Sequence, residues 1–130
     1  MSDPARYTVL TPEDYEFTAP SGGDPARGVM RLSDLLEHSR ANLWRMPPGS
    51  RGRRHRETVQ EEIVLTLSGT ASLLLGEPPE TRELPSGAIA VVPPGTPLQL
   101  ANLDEVEAVV LIVGAPPTIG AAEYLPAARD

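Results

Sequence analysis

The chain has 130 residues, with 11 basic and 18 acidic side chains and a formal net charge of −7. That balance argues against a surface that binds nucleic acid by counterion release or docks on an anionic membrane. With no cysteine, disulfides, thiolate metal sites and cysteine nucleophiles are excluded.

The length suits one closed core, and with aromatics at only 4% that core must be built from Val, Leu, Ile and Ala. Residues 1–38 read as an N-terminal arm, interrupted by Pro4, Pro12, Pro20 and Pro25, with Ser21-Gly22-Gly23-Asp24 as a flexible turn or linker. Within it, Tyr7-Thr8-Val9-Leu10 is a candidate short strand. Val29 to His38 carries the one helical pattern, with Ser33 as N-cap before Asp34-Leu35-Leu36-Glu37. The N-terminus has neither a basic head nor an apolar run, so a cytoplasmic location is expected.

Residues 39–116 change character. Strand-like runs recur at Ala41 to Met46, Ile63 to Leu67, Thr70 to Leu75, Ala88 to Val92, Leu98 to Ala101 and Val106 to Val113. Gly and Pro close each run, which is the pattern of a sandwich or barrel of short strands. Ile63–Leu67 and Val109–Val113 are nearly continuous apolar runs, so cover is expected on both faces of those strands. The longest such run, Ala108 to Val113, falls far short of the roughly 20 residues that span a bilayer. The tail, residues 117–130, is a short helix or a docking segment.

His55 and Glu57 are two apart, so on a strand they face the same side, and a hairpin would bring Glu62 back beside them. Arg53 would share that face, while Arg54 and Arg56 would point away. Gln60 and Glu61 fall in the hairpin and are expected to be solvated. Trp44 and Met46 share a face of their strand and are candidates to line a pocket. No role is assigned to His38.

Residues 49–102 resemble the cupin superfamily. Its first motif is a glycine, five residues, His-x-His, three or four residues, Glu, six residues, Gly; Gly49, His55, Arg56, Glu57, Glu62 and Gly69 keep that spacing, with Glu57 in place of the second histidine. The second motif is a glycine, five residues, Pro-x-Gly, two residues, His, three residues, Asn; Gly87, Pro93-Pro94-Gly95, Leu98 and Asn102 keep it, with Leu98 in place of histidine. The resemblance implies an all-β double-stranded β-helix, the cupin jelly-roll barrel, following the N-terminal arm. It also implies a homodimer.

Carried over position by position, the family's metal ligands fall on His55, Glu57, Glu62 and Leu98, and leucine cannot ligate. One imidazole and two carboxylates can hold one divalent metal, manganese, iron or zinc, as a weak site. Without a metal, His55 with Glu57 or Glu62 would form an acid–base pair. Trp44, Met46, Arg53, Leu98 and Leu100 are the expected pocket lining. The expected function is a small-molecule-binding pocket with a weak metal or none; the alternative is a metal-dependent oxygenase, isomerase or cyclase of bacterial secondary metabolism. No nucleic-acid or membrane partner is expected.

Overall fold

A strand shows its side chains to alternate faces, so a run such as Glu62-Ile63-Val64-Leu65-Thr66 must divide between two environments. A computed structural model, which describes residues 7–117 and 122–128, shows how that division is used. Among the described residues ten strands form: β1 (Gly28–Arg31), β2 (Arg40–Met46), β3 (His55–Glu57), β4 (Glu61–Ser68), β5 (Thr70–Leu75), β6 (Glu80–Pro85), β7 (Ile89–Val92), β8 (Leu98–Ala101), β9 (Ala108–Ala115) and β10 (Ala122–Tyr124). They build two five-stranded antiparallel sheets, ordered β1-β2-β9-β4-β7 and β10-β3-β8-β5-β6. This is the all-β jelly-roll class that the sequence implies.

The core lies between the sheets. Met46, Val64, Ala71, Leu73, Leu84, Val92, Leu98, Leu100, Ala108 and Val110 form one buried cluster. Removing such side chains from water is the main stabilising term, worth about 1.5–3 kcal/mol for each Leu or Val fully buried. Gly69 (φ +72°) makes the tight link from β4 to β5 and passes against the Glu107 and Ala108 backbone, where any Cβ would collide. Asn102, fully buried just after β8, ties the end of β2 to the loop before β9: its Nδ2 donates to the carbonyls of Met46 and Val106, both at 2.8 Å, and its Oδ1 accepts from Asp104 N–H at 2.9 Å.

Several expectations are corrected. Tyr7–Leu10 form no strand and lie mostly exposed; the arm instead joins the sheet through a bridge between Thr18 and Val29. Helical structure in Val29–His38 is limited to a 3₁₀ turn at Leu32–Leu35, because Val29–Arg31 pair with β2. Ser33 does not cap that turn; its hydroxyl accepts from Ala41 N–H and donates to the Ala41 carbonyl. The described part of the tail contributes a strand, β10, rather than a helix. Strand β6 is new: its side chains other than Leu84 are exposed, so an edge strand hid behind polar composition.

The expected double cover of the apolar runs is also not met within one chain. On β4 and β7 the outward residues Ile63 and Val91 are 47% and 74% exposed, and Leu67 and Ile89 are exposed beside them. The outward Ala41 and Leu43 of β2, by contrast, are buried, and the Leu32–Leu35 turn lies against that strand.

Candidate functional site

Three strands carry a polar-to-apolar gradient on their inward faces. Strand β2 presents Asn42, Trp44 and Met46; β4 presents Glu62, Val64 and Thr66; β9 presents Gly114, Ile112, Val110 and Ala108. The register aligns Glu62 with Gly114, Val64 with Ile112 and Trp44 with Val110. The apolar ends fill one half of the barrel, and the other half holds a cavity of about 420 Å³.

His55, Glu57 and Glu62 meet at that cavity, each offering a ligand atom within 4.8 Å of the others. His55 Nε2 lies 3.2 Å from Glu57 Oε2 and 3.8 Å from Glu62 Oε1. His55 Nδ1 is 3.1 Å from the Arg53 carbonyl oxygen; a carbonyl only accepts, so Nδ1 carries the proton and Nε2 turns to the carboxylates. Glu57 is fixed through its own backbone, whose carbonyl accepts from Gly95 N–H at 2.7 Å at the turn after β7. Gly95 sits at φ +87°, so this motif turn depends on glycine.

Both carboxylates are buried, yet among the described residues Glu57 Oε1 and Glu62 Oε1 have no hydrogen-bond partner. Two buried carboxylates side by side demand positive charge. Burial alone would pull the His55 pKa down, but hydrogen bonding to Glu57, the Glu62 carboxylate and the Arg53 carbonyl lift it to about 10. The imidazolium form therefore balances one carboxylate. A divalent cation would instead use the Nε2 lone pair and one oxygen of each carboxylate. The donor set fits such an ion: bond lengths near 2.0–2.2 Å for nitrogen and oxygen ligands require only a small closing of the triad.

The remaining expectations divide. Trp44, Arg53 and Leu100 line the cavity; Met46 and Leu98 do not, and belong to the buried core cluster. Leu98 is the direct cross-strand partner of His55, so the missing fourth ligand position is filled by core packing. Gln60 is not solvated as expected: it is 3% exposed, lines the cavity, and donates to the Pro116 carbonyl at 2.9 Å. Its side chain passes so close to Gly114 that a Cβ there would collide with Gln60 Oε1.

Arg54 and Arg56 point away from the cavity, as strand alternation predicts, and hold the tail. Arg54 donates to Glu77 Oε2 at 2.8 Å and to the Gly76 and Pro126 carbonyls; Arg56 donates to Glu123 Oε2 at 2.8 Å. Arg27, Asn42 and Tyr124, which no motif in the sequence marks, also line the cavity. Tyr124 reaches His55 because β10 pairs with β3, with ring centroids 6.2 Å apart. Arg27 lies in the arm, and only the Asn42–Trp44 alternation could have shown part of this wall in advance.

Comparison with known proteins agrees with this fold. Residues 42–114 match the family model described as the cupin domain. A protein from Silicibacter pomeroyi, described as a sugar phosphate isomerase from a cupin superfamily, superposes with a TM-score of 0.74 at 26% identity, covering 92% of this chain and 83% of that one. The polyketide cyclase RemF from Streptomyces resistomycificus gives 0.79 at 16% identity, covering 96% and 89%. An uncharacterized double-stranded β-helix protein from Klebsiella pneumoniae gives 0.72 at 21% identity, covering 94% and 100%. None of the curated protein sequences compared matches the chain.

Proposed function

The chain belongs to the cupin family, and from that premise we propose that its barrel binds a small organic molecule at a centre made by His55, Glu57 and Glu62, which holds one divalent cation weakly. The observation that carries this reading is two buried carboxylates facing His55 Nε2, Glu57 through Oε2 and Glu62 through Oε1, while Glu57 Oε1 and Glu62 Oε1 have no hydrogen-bond partner among the described residues. With three donors and Leu98 at the fourth position, affinity is modest and open positions remain for a ligand. Manganese, iron and zinc suit this imidazole and carboxylate set. A cation bound there would act as a Lewis acid toward a ligand oxygen. The chain's own groups do the rest: the Arg53 carbonyl orients His55, Gly95 N–H holds the Glu57 backbone, and Trp44 and Leu100 give the ligand an apolar wall.

The test is elemental analysis of the purified protein with and without chelation, followed by Mn(II) titration. About one equivalent that is lost in His55→Ala supports the centre. No uptake of manganese, iron or zinc by the intact protein sinks it.

A catalytic version is favoured by one observation. The Silicibacter pomeroyi protein, similar over most of both chains, is described as a sugar phosphate isomerase. Isomerisation needs a group that takes and returns a proton beside a carbonyl, and Glu57 or Glu62 next to His55 meets that need. Deuterium uptake from D₂O into a sugar phosphate, abolished in Glu57→Gln or Glu62→Gln, would establish it.

We also propose that a second copy of the chain covers the bare outer face of β4 and β7. Ile63, Leu67, Ile89 and Val91 lie exposed there without an intervening charge, with half-buried Leu65 between Ile63 and Leu67 and Leu111 beside it. Light scattering checks this: the wild type should run as a dimer and Val91→Lys as a monomer.

A further inference from the structure

The net charge of the chain is −7, yet among the described residues the cavity wall carries Arg27, Arg31, Arg40 and Arg53 against two acids, Glu57 and Glu62. Two of these arginines rest on aromatic faces, one buried (Arg27) and one exposed (Arg53). Arg27 is 6% exposed, its guanidinium stacked over Trp44 at 4.5 Å. Its Nε donates to the Asp24 carbonyl at 3.2 Å and its Nη2 to the Gly22 carbonyl at 2.9 Å, which leaves Nη1 without a hydrogen-bond partner among the described residues. The Arg53 guanidinium lies over the Tyr124 ring at 3.5 Å.

The loop expected to be a flexible linker closes over both side chains. At Gly23, with φ +78°, a Cβ would sit 2.6 Å from Arg27 Nη2 and 2.9 Å from Arg53 Cγ; at Gly22 it would sit 3.3 Å from Arg53 Nη1. Two glycines therefore let the backbone wrap two guanidinium groups that face one cavity. Among the described residues neither arginine has an ion-pair partner within 4 Å. The nearest acid acting on Arg27 is Asp24, whose Oδ1 and Oδ2 are engaged by Ala26 N–H and Arg51 N–H. Burial lowers the Arg27 pKa, Asp24 opposes that, and the charge of Arg53 adds to the lowering. Two like charges held together at a cavity, with aromatic faces fixing their planes, are an arrangement that an oxyanion completes.

We propose that Arg27 and Arg53 form an anion subsite on the cavity wall, and that the ligand of this barrel carries a phosphate or carboxylate group bound there while its other end reaches His55, Glu57 and Glu62. This rests on the reading of the barrel as a small-molecule pocket, but not on a cation being present. The stacked, preorganised guanidinium planes favour bidentate contact and lose little freedom on binding.

The experiment uses the full chain in chelator at fixed ionic strength. Inorganic phosphate and, separately, malonate are titrated while the fluorescence of Trp44, the single tryptophan, is followed, with calorimetry beside it. Saturable binding of either anion is expected, at least tenfold weaker in Arg53→Gln and partly restored in Arg53→Lys. Phosphate binding alone assigns a phosphorylated ligand, and malonate binding alone a carboxylate ligand. Arg82→Gln, on the opposite edge of the second sheet, should bind as the wild type does. Arg53 is exposed, so its replacement should leave the fold intact. No saturable binding of either anion overturns the subsite, as does equal weakening by Arg82→Gln and Arg53→Gln. Mn(II) titration of the same proteins separates the two readings: anion binding without Mn(II) binding removes the cation centre and keeps the subsite, and the reverse keeps the centre and removes the subsite.

Discussion

The two halves of the barrel are made by the same strands and behave as different materials. Toward one end β2, β4 and β9 turn Met46, Val64 and Val110 into a sealed core with Leu73 and Leu98. Toward the other end, a few residues along the same strands, they turn Asn42, Glu62 and Gly114 to a cavity that also holds His55, Glu57, Gln60 and Arg27. The filled half supplies stability through buried apolar surface. The open half is a place where stability is given up, since buried oxygens there lack partners among the described residues. Keeping both on continuous strands fixes the polar groups rigidly, because their backbones belong to a ladder anchored in the core.

The largest change should come from the filled half. Leu73→Ala removes a fully buried side chain and should cost about 2–5 kcal/mol in urea unfolding, while leaving Mn(II) affinity near that of the wild type. Loss of metal affinity in that variant would break the separation of the two halves.

The reverse substitution is Glu62→Gln, which should weaken Mn(II) binding by about a hundredfold or more while the urea midpoint moves little. A large drop in stability there would make the triad part of the core instead.

Next comes pH, measured in chelator so that only protons compete for the triad. His55 is raised from 6.5 to about 10 in the folded chain. Below pH 6.5 the imidazole is protonated both folded and unfolded, and its contribution is complete. As pH rises toward 10 the unfolded chain loses the proton first, and stability should fall by a few kcal/mol, on the order set by linkage. His55→Gln should flatten that slope in denaturation curves run at several pH values; an unchanged slope would place the raised pKa elsewhere.

The smallest effect sharpens the same point. A cation must displace the His55 proton, so the Mn(II) association constant should rise about tenfold per pH unit between pH 6.5 and 8.5, read by calorimetry in buffers of different ionisation enthalpy. An affinity independent of pH would mean that His55 is not a ligand.

Much of this was written in the chain's local pattern. Glycines and prolines at motif spacing mark the turns, and Gly69 and Gly95 take the positive φ that those turns need. The two-residue step from His55 to Glu57 and the hairpin to Glu62 set three donors on one face, since strand alternation is a local property of the backbone. What alternation could not give is depth. Trp44 and Met46 share a face, yet one lines the cavity and the other is sealed in the core, because position along the barrel is decided by what the neighbouring strands bring opposite. The same holds for Leu98, placed against His55 by the pairing of β3 with β8. Gln60 looked solvated in its hairpin and is buried because Gly114, 54 positions away in the chain, leaves space for it. Arg27 and Tyr124 come from opposite ends of the sequence and meet the same cavity wall. The sequence by itself determined the fold class, the turns and the triad, all of which rest on short-range periodicity. Only the tertiary structure decided which half of the barrel is filled and which cations face the cavity, since both depend on contacts between residues far apart in the chain.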